Sequence, residues 1–243
     1  MKDKYIFIAD THLGSPTFAQ SVQREKNLVS LLLSKESQTK AVYLLGDIFD
    51  FWWEYKSVVP KYFTRLLGTL ALMSDRKTEI HFFIGNHDQW IGDYFEKEIG
   101  AIIHRQPLTC QIEGKSFFLA HGDGFDANDK KYMFLKAVFA NKFLQGLFSA
   151  IHPRFGMAVA HLWSNYSRSK HIGQEGTNKG FDEPIIKYFQ ANTEPIDYYI
   201  IGHYHFDQVF SLSQSRELII LGAWFLGVSY AEFDGSKVEL LHN

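Results

Sequence analysis

The sequence has little of two features that would place it in a specialised class, namely cysteine and long apolar runs. Cys110 is the only cysteine among 243 residues, so an intrachain disulfide is impossible, which is typical of a reducing compartment. No apolar run approaches the roughly 20 residues that span a bilayer. The first run, Tyr5–Ala9, ends at Asp10 and is too short for a signal peptide. We therefore expect a cytoplasmic protein.

The chain also lacks a strong charge of either sign. Its 25 basic and 27 acidic residues give a net charge of −2, which argues against a nucleic-acid partner. We expect no obligate protein partner either. With 46% apolar residues, the chain is long enough for one α/β domain over residues 1–243, with an insertion. Phenylalanine is abundant, at 22 residues, which suggests that an apolar group is bound or covered.

Short apolar segments with β-branched and aromatic residues indicate six buried strands. They are Tyr5–Ala9, Ala41–Leu45, Ile80–Ile84, Ser116–Ala120, Tyr198–Ile201 and Leu218–Leu221. Helices are predicted at Gln20–Ser34 and Pro60–Met73, between the first three strands. This alternation predicts parallel strands with both faces covered.

Residues 127–181 interrupt this alternation and are too long for a simple connection. Helical spacing is present around residues 133–144, and a second helix is predicted from Pro153 to Tyr166. The segment has eight lysines and arginines but two acidic residues, a net charge of +6, and it is rich in phenylalanine. Basic residues on a solvated helix face, with phenylalanines in the core, would explain each residue singly. The combined basic and aromatic bias favours a binding role.

Polar side chains follow five of the six predicted strands. The segments are Asp10-Thr11-His12, Gly46-Asp47, Gly85-Asn86-His87-Asp88, His121-Gly122-Asp123 and Gly202-His203-Tyr204-His205. Ligands of open α/β sheets bind at the carboxyl ends of the strands, so these groups should converge there. Mixed oxygen and imidazole ligands suit divalent metals. Seven candidate ligands are too many for one open catalytic metal and suit a two-metal site.

In this order, the five motifs resemble those of the calcineurin-like metallophosphoesterase superfamily. The resemblance implies an α/β fold, a four-layer α/β/β/α sandwich, with residues 127–181 as a helical lid insertion. It also implies a dinuclear metal centre. One metal would be held by Asp10, His12, Asp47 and His205, and the other by Asp47, Asn86, His121 and His203.

The implied chemistry is hydrolysis of a phosphoester or phosphoanhydride. Two metals lower the pKa of a bound water and neutralise phosphoryl oxygens during displacement. His87, beside the ligand Asn86, would donate a proton or hydrogen bond to the phosphate or to the leaving oxygen. Asp50 and Asp88 are expected to orient their neighbours.

Within the superfamily, the chain is most similar to the UDP-2,3-diacylglucosamine pyrophosphate hydrolases of lipid A synthesis. That family cleaves at the α-phosphate, usually with manganese, and gives UMP and 2,3-diacylglucosamine 1-phosphate. The similarity rests on the size, on the basic and aromatic insertion, and on the spacing of Asp129 and Tyr132 from His121. The substrate contacts we predict are Asp129, Tyr132, Phe139, Phe143, Arg168 and Lys170. The basic insertion would also hold the enzyme peripherally on the cytoplasmic face of the inner membrane.

The sequence departs from this subfamily at two motif positions. Enterobacterial members have Arg where this chain has His87, and Thr where it has Tyr204. Two alternatives therefore stay open. One is a metallophosphoesterase that acts on another phosphodiester or nucleotide and needs no lipid lid. The other is a non-enzymatic interaction module on the same fold, although such proteins usually lose ligands and all seven are present here.

Overall fold

The structure is a computed structural model that describes residues 2–125, 134, 136–139, 141–153, 155–156 and 182–242. Much of the predicted insertion, residues 127–181, lies outside these ranges. So does most of the helix predicted from Pro153 to Tyr166. Four predicted substrate contacts also lie outside the described residues: Asp129, Tyr132, Arg168 and Lys170.

Six strands form the first sheet. They are β1 (Lys4–Ile8), β2 (Thr39–Leu44), β3 (Glu79–Phe83), β4 (Ile102–His104), β10 (Ser229–Phe233) and β11 (Val238–His242), in the order β11-β10-β1-β2-β3-β4. The four strands from β1 to β4 pair in parallel, and β10 and β11 add antiparallel. Helices α1 (Phe18–Lys35) and α2 (Thr64–Asp75) provide the crossovers that parallel pairing requires.

Five strands form the second sheet. They are β5 (Leu108–Ile112), β6 (Lys115–Leu119), β7 (Tyr198–Ile201), β8 (Gln208–Ser213) and β9 (Arg216–Ile220), in the order β5-β6-β7-β9-β8. Strands β6, β7 and β9 are parallel, with an antiparallel hairpin strand at each edge. Helix α3 (Lys142–Ser149) lies in the insertion, and helix α4 (Asp182–Ala191) precedes β7. None of the helices within the described residues is long and apolar enough to cross a bilayer.

Three apolar layers separate the four layers of secondary structure. The central one joins the two sheets, where the rings of Phe7 and Phe117 stack with centroids 5.8 Å apart. The first sheet packs its other face on α1 and α2, with Leu28 and Leu70 fully buried. The second sheet packs its other face on α4 through Phe189. The predicted four-layer α/β/β/α sandwich is confirmed.

The structure contains all six predicted strands and adds five others, namely the edge strands β4, β5, β8 and β11 and the buried strand β10 between β11 and β1. Strand β4 has three residues, and β8 alternates between half-buried and exposed positions, so neither has a strong apolar run. The predicted start of the second helix, at Pro60, is wrong. Helix α2 begins at Thr64, because Tyr62 and Phe63 have φ of 87° and 55°, which an α-helix excludes.

Candidate metal centre

The five predicted motifs meet at the carboxyl ends of five parallel strands. Asp10 and Asp47 follow β1 and β2, Asn86 follows β3, and His121 and His203 follow β6 and β7. The first three come from one sheet and the other two from the second, so the site lies where the two sheets adjoin. This is where open α/β sheets bind ligands.

The imidazole and carboxylate groups form three interlocking clusters. Within each cluster, one ligand atom of every member lies within 4.8 Å of the others. The clusters are Asp10/His12/His205, Asp47/His121/His203 and His12/Asp47/His87. The Oδ2 atom of Asp47 is 3.9 Å from His12 Nε2 and 3.4 Å from His121 Nε2, so this carboxylate lies between the first two clusters.

The first cluster has buried polar atoms that no described residue satisfies. His12 Nε2 is 3.1 Å from His205 Nε2, and these nitrogens lie 3.7 Å and 3.6 Å from Asp10 Oδ1. Asp10 Oδ1 has no hydrogen-bond partner among the described residues, although Oδ2 accepts the His203 N–H at 2.7 Å. Two imidazole nitrogens and a carboxylate oxygen facing one another are a donor set that a divalent cation fits.

His121 shows the same fit in the second cluster. Its Nδ1 lies 2.9 Å from the Leu45 carbonyl, which fixes a proton there and leaves Nε2 to face the other groups of the cluster. Nε2 is 3.1 Å from Asn86 Oδ1, close to the Asp47 carboxylate. Two oxygen acceptors around one imidazole nitrogen favour a positive charge between them, which a proton or a bound cation supplies. Asn86 Oδ1 therefore lies at this cluster, beside His121.

Burial and mutual charge perturb the pKa values of this region strongly. Burial raises the pKa of Asp10 well above its usual value, and the nearby Asp47 adds to the effect. Burial lowers the pKa of His203 to about 4, and that of His205 well below its usual value. For His121, burial is outweighed by Asp47 and Asp10, which hold its pKa well above the usual value. Neutral imidazoles such as His203 and His205 are the form that binds a metal.

Five of the seven predicted ligands have strained backbone. Asp10, His12, Asp47, His203 and His205 have φ between 42° and 74°, the left-handed region that non-glycine residues rarely adopt. Each such residue costs about 1–3 kcal/mol and persists only where the surrounding structure enforces it. Strain of this kind clusters at functional sites. Here it turns successive side chains toward one point.

Two glycines permit the close approach of the loops. A Cβ atom at Gly85 would collide with the Asp47 carboxylate, and one at Gly202 would collide with the carboxylate of Asp10. Asp88 ties the loops together, because its carboxylate accepts the N–H groups of Gly85 at 2.7 Å and Ile48 at 2.9 Å. The predicted orienting role of Asp88 therefore has a concrete geometry.

His87 lies at the open side of the clusters. Its backbone N–H donates to Asp47 Oδ1 at 2.8 Å, which fixes the residue beside the carboxylate that the clusters share. Its Nδ1 lies 2.9 Å from the carbonyl of Asp50, so that nitrogen carries the proton and Nε2 is left for another partner. The side chain is 19% exposed, whereas those of His12 and His121 are almost fully buried.

The comparisons with known proteins agree with this geometry. The calcineurin-like phosphoesterase family profile matches residues 4–207, and the chain belongs to this family. It is 37% identical over 255 residues to a protein of Porphyromonas gingivalis named UDP-2,3-diacylglucosamine hydrolase, covering 99% of this chain and 97% of the relative. Proteins of the same name from Proteus mirabilis and Yersinia enterocolitica are 28% and 24% identical, each covering 97% of both chains. The chain is a metal-dependent hydrolase, and divalent ions are the cofactors of its family.

Two predicted insertion contacts lie within the described residues. Phe139 packs edge-on against Trp90 with centroids 5.5 Å apart, and its carbonyl accepts the Trp90 indole N–H at 2.8 Å. Phe143 is 74% exposed. Phe139 therefore joins the insertion to the loop that follows Asp88, while Phe143 faces outward.

The sequence did not predict the aromatic residues of the sandwich and of helix α3 that form this contact. Trp53 and Trp90 cross edge-to-face at 4.6 Å, and the ring of Phe148 in α3 contacts both. Lys136 of the insertion also forms an ion pair with Asp123. The three consecutive aromatic residues Phe51-Trp52-Trp53, directly after Asp50, were the available signal.

Proposed function

We propose that this chain hydrolyses UDP-2,3-diacylglucosamine at the α-phosphate, giving UMP and 2,3-diacylglucosamine 1-phosphate. Support comes from the name of three relatives that match this chain along almost their full length. The family chemistry is the hydrolysis of phosphate esters and anhydrides. What distinguishes this substrate from a small diester is its acyl chains, so the proposal needs an apolar site beside the metal centre.

An apolar cavity of about 620 Å³ provides that site and is the observation that carries the proposal. Leu13 and Gly14, which follow His12, line it, as does Phe51, which follows Asp50. From there it extends between α1 and the segment before α2, and Pro153 of the insertion borders it. Most of its other lining side chains are apolar, among them Phe18, Val22, Trp53, Val58, Val59, Tyr62 and Phe63. A ligand with a phosphate at the clusters can thus extend an apolar chain into this cavity.

We propose two divalent ions, manganese in the cell, held by the two ligand sets that the motifs predicted. Such ions supply a nucleophile at neutral pH and neutralise phosphoryl oxygens. The chain's own groups position the reaction. Asp47 lies between both clusters, and Asn86 Oδ1 fixes the second. His87 Nε2 is left available by the Nδ1 contact with the Asp50 carbonyl, and in the imidazolium form it donates a hydrogen bond or proton to the phosphate or the leaving oxygen.

We also propose that the protein binds peripherally to the cytoplasmic face of the inner membrane. Three residues at the cavity are large, apolar and exposed: Phe18 (62%), Val58 (51%) and Tyr62 (52%). Lys61 lies above the Tyr62 ring at 5.0 Å. Two described insertion residues, Phe134 and Phe143, are also exposed, at 71% and 74%. Exposed aromatics beside lysines suit an anionic lipid surface.

Asp129, Tyr132, Arg168 and Lys170 remain the proposed contacts to the polar part of the substrate. The basic residues among them would pair with the pyrophosphate. Phe139 and Phe143 remain proposed contacts to the acyl chains.

A substrate panel tests the proposal. Each assay contains Mn²⁺ and one of UDP-2,3-diacylglucosamine, a UDP-sugar without acyl chains, bis-p-nitrophenyl phosphate or a cyclic nucleotide. We expect kcat/KM to be highest for the diacylated substrate. Hydrolysis in ¹⁸O-water should place the label in UMP, since attack at the α-phosphate puts the new oxygen there. Preference for the small diester, or label in the lipid phosphate, contradicts the proposal.

A further inference from the structure

Two side chains of helix α1, one turn apart, form hydrogen bonds with the loop that carries His12. Ser21 Oγ accepts the N–H of Gly14 at 2.7 Å. Arg24 donates from Nε to the carbonyl of Thr11 at 3.0 Å and from Nη2 to the carbonyl of His12 at 2.9 Å; Nη2 also donates to the Ser15 carbonyl. Arg24 is 7% exposed, so its guanidinium contacts backbone carbonyls and has little contact with solvent.

These hydrogen bonds hold a residue with strained backbone. His12 has φ of 42°, and its N–H donates to the carbonyl of Asp47 at 3.0 Å. Its own carbonyl is held by Arg24. Anchors on both sides of a residue in the left-handed region are what such a conformation needs to persist. The planar guanidinium holds neighbouring carbonyls at fixed angles, which a lysine ammonium, as a point charge, does not.

We propose that Arg24 is a positioning residue for metal binding. By fixing the carbonyls of Thr11 and His12, it holds His12 Nε2 toward Asp10 and His205, and so preorganises the first cluster. The second cluster takes its ligands from the loops after β2, β6 and β7, whereas the carbonyls of Thr11, His12 and Ser15 belong to the loop after β1. The inference rests on the proposed metal centre but not on the identity of the substrate.

A purely electrostatic role makes the opposite prediction. A buried guanidinium near the centre repels cations, so its removal would tighten metal binding at both clusters. A positioning role predicts weaker binding at one cluster. The two explanations therefore predict opposite changes in metal affinity, at both clusters in one case and at one cluster in the other.

Mn²⁺ titration of the full-length, metal-stripped chain tests the proposal, with free Mn²⁺ measured by electron paramagnetic resonance. For Arg24→Met we expect one of two ions to bind about 10–100-fold more weakly, the usual effect of losing a group that orients a metal ligand. The other ion should change by less than about 3-fold. Arg24→Lys should recover part of the loss. Arg105→Met is the matched control, because Arg105 also holds carbonyls, those of Ile91 and Gly92, but in the loop after β3, which supplies no ligand to the first cluster.

Unchanged or tighter Mn²⁺ binding by Arg24→Met overturns the proposal. So does a loss equal at both ions, or one that Arg105→Met reproduces. If Arg24→Met does not fold, Arg24→Lys and Ser21→Ala decide the question, and each must weaken one ion selectively. Wild-type protein that binds no Mn²⁺ overturns the metal centre itself, whereas a failed substrate panel leaves this result standing.

Discussion

Filling the apolar cavity with a larger side chain should weaken binding of the acylated substrate and leave hydrolysis of a small diester unchanged. Val22 lies on the face of α1 that lines the cavity, and Val22→Trp places an indole ring inside it. Each methylene kept out of an apolar site costs about 0.8 kcal/mol, so displacing three of them costs roughly 2.4 kcal/mol. That energy corresponds to an increase of about 60-fold in KM for UDP-2,3-diacylglucosamine. The metal ligands are untouched, so kcat/KM for bis-p-nitrophenyl phosphate should change by less than about 3-fold.

Steady-state kinetics on both substrates, with circular dichroism as a check on folding, provides the measurement. Val209→Trp is the control, because Val209 is 43% exposed on the edge strand β8 and does not line the cavity. We expect its KM values to match those of the wild type. Equal losses on both substrates in Val22→Trp would show that the indole ring disturbs the loop after His12 rather than an acyl site. An unchanged KM for the lipid would refute the assignment of the cavity.

Four further outcomes are expected. Asp47→Asn should abolish hydrolysis of every substrate and lower bound Mn²⁺ per chain, because one carboxylate serves both clusters; near-normal activity with two ions bound would refute this. His87→Ala should lower kcat by about 10²–10⁴-fold with Mn²⁺ retained, and His87→Arg should keep activity only if the role is one of charge. Phe143→Ser should change stability by less than about 0.5 kcal/mol yet weaken sedimentation with anionic vesicles, and equal sedimentation would argue against membrane contact at this residue. Burial, aided by His81, lowers the pKa of His104 to about 4, so the unfolded chain binds the proton more tightly and stability falls as pH drops from about 6.5 to 4. After discounting for partial exposure, the loss is roughly 1–2 kcal/mol; urea unfolding of His104→Phe at pH 7 and pH 4.5 should show a smaller loss than the wild type.

The ligand set was predictable from the sequence because each ligand follows a strand with a clear apolar run. Strands such as Ala41–Leu45 and Tyr198–Ile201 are buried on both faces, so their sequences are continuous apolar segments that mark their own ends. The parallel strands of the first sheet then bring Asp10, Asp47 and Asn86 to one edge, whereas the packing of the two sheets brings His121 and His203 beside them. Edge strands such as β8 are half exposed and give no such signal.

The sequence by itself determined the chemistry: oxygen and imidazole side chains, in order, at the carboxyl ends of parallel strands. The tertiary structure alone decided what surrounds that chemistry. The cavity joins Leu13, Val22 and Phe63 from three segments, and Arg24 reaches carbonyls nine to thirteen residues before it. Trp90 meets Phe139 across 49 residues. Such contacts depend on how helices and loops pack against the sheets. The residue type does not show whether an arginine or tryptophan is buried, so no local pattern in the sequence predicts these contacts.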